Sequence, residues 1–407
     1  MPGSLVGVAD RQDPRPSAIR KASMHLLRSE RFPAFLLLGA AALGLVLANL
    51  PFGEEIIHLS HVEIGPEALG LNLSLSHWVA DLLLAVFFFG VAVELQYEMT
   101  RGQLNSAAKA IKPAIAAAGG VIVPIAVYLL IAGGSETSAG WPIPTATDIA
   151  FALGVLAMFG KGLPTKVRVF LLALAIIDDI VGIVFIAVLF ATDLDFMMLA
   201  IGVVFVVAFA ILSRMRSRRN QVVIVSLMII VALAAWAFFY LSGIHATIAG
   251  VLLGLVIRQD EGMHARHALE PWINAVILPI FAFFSALVVI PQVSLEEISP
   301  ALWGILIALP VGKLIGITLF GWLAMFVGKK KGEKPDLPVA DILPAAALGG
   351  IGFTVSLLLS RLAFADAVVA DEAVLGVLLG SFISLVLSGI LVSARARTHR
   401  RRAAVDA

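Results

Sequence analysis

Pro144-Thr145-Ala146-Thr147-Asp148-Ile149-Ala150-Phe151 is followed, one apolar run later, by Ala175-Ile176-Ile177-Asp178-Asp179-Ile180. Both stretches lie in segments apolar enough to sit in lipid, yet together they carry three carboxylates. An aspartate at the centre of a membrane helix costs about 2.5–3.5 kcal/mol on insertion scales, so the three oppose insertion by about 8–10 kcal/mol. Such groups must be neutralised by protons, paired with a buried cation or fitted around a small metal ion. A transporter that trades protons for such an ion uses all three states.

The surrounding composition agrees. Of 407 residues, 60% are hydrophobic and 14% charged, with a mean hydropathy of +1.00. A water-soluble domain does not hide that much apolar surface, so the chain reads as an all-α polytopic membrane protein. It has no cysteine, which removes disulfides, thiolate metal sites and thiol nucleophiles. Residues 1–31 are basic and lack the apolar core of a signal peptide, so they read as a disordered cytoplasmic tail. Residues 32–395 form a single transmembrane domain and 396–407 a second basic cytoplasmic tail.

Apolar runs of bilayer length begin near Phe32, Val79, Pro113, Trp141, Pro164, Phe196, Val222, Ile244, Pro271, Ala301, Val339 and Asp371, which predicts about twelve spans. Leu241-Ser242-Gly243 is too short for a loop and reads as a tight reversal between two helices. Lys and Arg collect in alternate connections, including Arg101, Lys109 and Lys112, then Lys161, Lys166 and Arg168, then Arg214 to Arg219, Arg258 and Arg266, Lys329 to Lys334, and Arg395 to Arg402. The connections between are neutral or acidic. Both termini are therefore expected in the cytoplasm, with Arg361 the exception to the rule. In the first outer connection, residues 52–76, the alternation Leu71-Asn72-Leu73-Ser74-Leu75-Ser76, preceded by Ile56–Ile64 and Gly65-Pro66, predicts a small outer β-hairpin. Its open edges suit pairing with a second copy.

Lys313 lies mid-span, too deep for easy snorkelling, so it needs a carboxylate partner at matching depth. Asp178 and Asp179 are the candidates. Neighbours on a helix point about 100° apart, so one of the two can meet Lys313 while the other faces a water-filled cavity. Asp148 follows Pro142, Pro144, Thr145 and Thr147, a cluster unfriendly to continuous helix. Unwound backbone at membrane depth is tolerated where it lines a cavity or is buried in protein, and its carbonyls with the Thr147 hydroxyl are hard ligands for Na⁺ or Li⁺. The alternative is a helix that begins a turn late, with Asp148 as its N-cap. Gly349, Gly350 and Gly352 interrupt the eleventh span in the same way. Spans 3–5 and 10–12 run in opposite senses, each with an interrupted middle helix, as an inverted repeat crossing at mid-membrane requires. Glu94 and Glu98, at i and i+4, could form a proton-responsive gate. Asp81 and His245 read as separate polar residues with structural roles.

These motifs resemble the NhaA family of sodium/proton antiporters. The likeness is carried by Ala146–Val155, Ala173–Asp179, Ser242–Gly250, Ile277–Phe283, Gly312–Ile317 and Gly349–Thr354, in order across nearly the whole membrane domain. It implies Asp179 as the main ion- and proton-binding carboxylate, Asp148 and Thr147 as its neighbours on the broken helix, and Asp178 as the partner of Lys313. It also implies a homodimer joined partly through the outer hairpin 52–76 and electrogenic, alkali-activated exchange of intracellular Na⁺ or Li⁺ for extracellular H⁺. Gln96 and Tyr97 stand where the family usually has a basic pair. Arg266 and Glu270 stand where it often has an acid and a histidine, though His267 remains as a candidate pH-gating residue, and Phe284–Leu287 replaces an Asn-containing run.

The expected protein is thus a multi-pass antiporter of the plasma (inner) membrane, not an enzyme, with Na⁺, Li⁺ and H⁺ as its ions. It needs no cofactor and binds no nucleic acid. A sodium-coupled symporter or a channel would need more polar lining than these spans supply. An intramembrane aspartyl protease could draw on Asp148 and Asp179, but its Gly-x-Gly-Asp signature is missing and Lys313 would compete for the dyad's proton.

Overall fold

The computed structural model describes residues 32–134, 136–191, 193–215, 220–294, 296–328 and 335–405. The expected N-terminal tail and the basic residues 216–219 and 329–334 lie outside that set. Among the described residues, eight helices are long and apolar enough to cross a bilayer, and counting three bent helix pairs as one span each gives up to eleven. A shorter apolar helix, Thr247–Val256, stands apart from these. It follows the reversal expected after Leu241: Ser242 caps the preceding helix and Gly243 takes φ +80°, a conformation glycine adopts without steric cost.

Two of the bent pairs are the predicted interruptions. The 3₁₀ segment 136–145 meets the helix Ile149–Phe159 at 46°, and Val339–Gly349 meets Phe353–Ala363 at 48°. Between the arms, Ala146–Asp148 and Gly350–Gly352 are non-helical. Both prolines and the side-chain competition of Thr145 and Thr147 disfavour helix in the first break. In the second, close packing demands glycine. A Cβ on Gly349 would lie 2.5 Å from Ile317 Cδ1, and one on Gly350 2.9 Å from the Leu309 carbonyl.

Other elements differ from expectation. Pro113 and Pro271 do not start helices but lie inside Ala107–Ala132 and Gln259–Ser285. Pro271 removes one donor from the helix ladder and is followed by a π-helical turn at Ile273–Ile277. The basic connection before it is consequently helical. The predicted hairpin shrinks to two paired residues on each side, Glu63 opposite Ser74 and Ile64 opposite Leu73. Gly53–Ser60 is a helix, because Glu54 and Glu55 in its first turn favour the positive end of a helix dipole over strand. The last helix begins at Ala367, earlier than expected, and the described part of the C-terminal tail continues it to Val405.

Small residues set the packing that positions Lys313. Its helix, Lys313–Ala324, crosses Ala107–Ala132 so closely that a Cβ on Gly119 would be 2.4 Å from the Gly316 carbonyl, and one on Gly316 2.1 Å from the Gly119 carbonyl. Between membrane helices such contacts replace the hydrophobic drive that lipid does not supply.

Candidate functional site

The two breaks meet and satisfy each other's backbone. The Asp148 amide donates to the Ile351 carbonyl at 2.6 Å, and the Ser356 hydroxyl donates to the Ile143 carbonyl at 2.8 Å. Unpaired amides and carbonyls at this depth would each cost several kcal/mol, so each break stabilises the other.

Asp148 does two things at once. Its Oδ1 accepts from the Phe151 amide at 3.0 Å, capping its own helix, and its Oδ2 accepts from the Thr354 amide at 3.2 Å. The two readings of this residue from sequence therefore coexist: it is an N-cap, and the segment before it is unwound. One carboxylate faces the positive N-terminal ends of two half-helices, Ile149–Phe159 and Phe353–Ala363, an arrangement that favours negative charge there.

Asp178 meets Lys313. Lys313 Nζ lies 2.6 Å from Asp178 Oδ2, and both side chains are fully buried, at 0% exposure. Lys313 also donates to Thr147 Oγ1 at 3.0 Å. The Thr147 hydroxyl, with one proton to give, lies 2.8 Å from Asp178 Oδ2 and from the Gly349 carbonyl. Thr147 thus links the first break, the ion pair and the C-terminal end of Val339–Gly349. Asp178 Oδ1 is buried without a hydrogen-bond partner among the described residues.

Asp179, turned away from Asp178, lines a cavity of about 340 Å³ together with Thr147, Asp148 and Thr354. It is buried, 5% exposed, and its carboxylate has no ion-pair or hydrogen-bond partner among the described residues. The oxygens of Asp148, Asp179, Thr147 and Thr354 are hard donors, the kind that holds an alkali cation. No cluster of three His, Asp or Glu residues suited to a resident metal occurs among the described residues.

The candidate gating residues are not gathered together. Glu94 lines the cavity and pairs with Arg266 at 2.6 Å, with Arg168 and Glu270 nearby on the same wall. Glu98 instead accepts from the Gln103 amide at 2.6 Å. His267 Nδ1 lies 2.6 Å from the Met263 carbonyl of its own helix, exposed. The i, i+4 spacing puts Glu94 and Glu98 on one face of the helix Leu84–Thr100, but their carboxylates bind different partners. Two more buried partnerships were not read from the sequence, which took Asp81 and His245 as separate residues and did not single out Asp341. His245 Nδ1 lies 3.4 Å from Asp81 Oδ1. Asp341 receives Arg395 Nε at 2.6 Å and lies 2.7 Å from His399 Nε2, which ties the second broken span to the last helix. Local patterns carry no signal for pairs so distant in the chain.

Fold and site together define a multi-pass membrane protein built around carboxylates on one internal cavity, with a third locked to a lysine beside them. The chain belongs to the Na⁺/H⁺ antiporter 1 family, whose model matches residues 24–392. It is 53% identical over 383 residues to the Na⁺/H⁺ antiporter NhaA 2 of Clavibacter michiganensis subsp. michiganensis, covering 93% of this chain and 94% of that protein. It is 46% identical over 372 residues to the Na⁺/H⁺ antiporter NhaA of Tropheryma whipplei, covering 91% and 95%. With NhaA of Mycolicibacterium smegmatis the figures are 42% over 389 residues, covering 92% and 88%. Membership of a transporter family removes the protease alternative.

Proposed function

We propose that this protein exchanges Na⁺ for H⁺ across the membrane through Asp179 and Asp148. The observation that carries the reading is that these two buried carboxylates share one cavity while Asp178 is occupied by Lys313. A proton or an alkali cation can neutralise each cavity-lining carboxylate, and the two compete. Competition is what couples the ions, because a site holding both would bring them through together. A cavity open alternately to each side turns that competition into antiport.

The Lys and Arg distribution supports a cytoplasmic mouth for this cavity, since Arg168 and Arg266 line it, and both termini in the cytoplasm. Twelve spans, with 3–5 and 10–12 as inverted repeats, account for the two breaks and their mutual hydrogen bonds. If Asp148 and Asp179 each release a proton when one Na⁺ or Li⁺ binds, exchange moves a net charge, and a proton gradient directed inward expels the metal ion. The Glu94–Arg266 pair is the gate through which pH acts, and the 52–76 segment joins two copies.

The test is collapse of a pH gradient in proteoliposomes on adding Na⁺ or Li⁺ across a pH series. Under acid conditions the apparent Kd for Na⁺ should rise roughly tenfold per pH unit for one competing proton, and roughly a hundredfold for two. An apparent affinity independent of pH would contradict competition at a shared carboxylate.

A further inference from the structure

A second cavity, of about 520 Å³, opens on the membrane-facing surface, away from the carboxylates. Phe35, Val155 and Phe159 form one side, Val386 and Gly389 the other, and Arg397 closes one end. Its walls are apolar: Phe35, Phe159, Val386 and Ile390 face outward, Phe35 at 61% exposure and Phe159 at 46%, over a buried Val155. Arg397 lies seven residues beyond Ile390 on the same helix, about 10 Å along the axis, where the apolar span gives way to Arg395–Arg402.

The charge at that end is unspent. Arg395 is held by Asp341, but Arg397, Arg400 and Lys161 form no ion pair among the described residues, and all three are exposed. Arg400 packs over Gly162, since a Cβ there would be 2.6 Å from Arg400 Cγ. This brings Arg400 beside Lys161, which lies two residues past the groove residue Phe159. An apolar slot capped by unspent cations at the end of a membrane span complements a lipid with an anionic head. It does not complement residues 1–31, whose Arg11, Arg15, Arg20, Lys21, Arg28 and Arg31 would be repelled.

We propose that this groove binds an anionic glycerophospholipid, one acyl chain along Val386–Ile390 and the phosphate on Arg397, Arg400 and Lys161. Val155 and Phe159 belong to the helix that Asp148 caps, so the bound lipid braces the element that presents one of the cavity carboxylates.

The experiment places a photoreactive benzoylphenylalanine at Met158, also on the groove, in the full chain. The protein is reconstituted in vesicles of phosphatidylcholine with a minor fraction of phosphatidylglycerol. Crosslinked adducts are identified by mass. Phosphatidylglycerol should be captured well above its share of the bilayer. Arg397→Glu with Arg400→Glu should cut that capture roughly 10- to 30-fold at low salt, leaving the melting temperature in pure phosphatidylcholine unchanged. Gly389→Leu should block capture with the charges intact, because a Cβ there meets Phe159 at 3.7 Å, ordinary contact, and the longer side chain fills the slot. Capture in proportion to bilayer composition, insensitivity to charge reversal, or adducts with residues 1–31 or with a second copy would each overturn the proposal. The readout does not depend on ion exchange.

Discussion

The Asp148 amide donates to the Ile351 carbonyl at 2.6 Å, across a crossing of two broken helices whose partners lie more than 200 residues apart in sequence. This single bond shows how a membrane protein can afford irregular backbone at depth. Each break supplies what the other lost, and the carboxylate of Asp148 then completes the exchange through Thr354.

Asp179→Asn removes the cavity carboxylate that has no partner among the described residues. Sodium-dependent proton release in vesicles should vanish, while the melting temperature in detergent holds or rises, because a buried charge without a partner is gone. Retained exchange would take Asp179 out of the mechanism.

Lys313→Ala leaves Asp178 buried and uncompensated, with Thr147 as its remaining donor. Loss of one partner of a buried pair costs about 3–5 kcal/mol, so a marked drop in melting temperature is expected. Adding Asp178→Asn should recover much of it, since an amide tolerates burial better than a lone carboxylate. Unchanged melting in the single variant would argue against the ion pair.

Gly349→Ala forces a methyl to within 2.5 Å of Ile317 Cδ1, and overpacking of this kind costs about 1–3 kcal/mol. Ile317→Val deletes the colliding atom, so the double variant should melt closer to the parent than Gly349→Ala does. Equal melting of single and double variants would mean that the glycine serves backbone conformation and not packing.

Glu94→Gln breaks a pair whose side chains are 31% and 21% exposed. Partly solvated pairs contribute at most about 1 kcal/mol, so melting should barely move. The pH profile of exchange and its dependence on ionic strength should both shift if the pair gates the cavity. Glu98→Gln, whose carboxylate is committed to the Gln103 amide, should leave the profile in place.

Much of this was legible in the chain. Pro142 and Pro144 marked the first break and Gly349–Gly352 the second, because the missing amide of proline and the missing Cβ of glycine act on their own backbone. The depth of Lys313 required a partner, because an isolated ammonium in hydrocarbon is too costly. The outer segment was less legible. Alternation at Leu71–Ser76 is a weak signal, and Ser74, accepting from the His77 amide, starts a helix where a longer strand was expected. Pro271 misled as well: it was read as the start of a span, whereas the helix begins at Gln259 and runs through it to Ser285.

By itself the sequence determined that the chain spans a membrane, where its helices break and that three aspartates and one lysine are buried among them. Those are consequences of transfer free energy and local stereochemistry, which each segment carries alone. Only the tertiary structure decided that Asp178 meets Lys313 while Asp179 faces the cavity, that Asp148 caps two half-helices, and that Glu94 belongs to Arg266. Such pairings depend on how one helix is rotated and tilted against another, which is set by contacts such as Gly119 on Gly316, made between segments that neither one specifies alone.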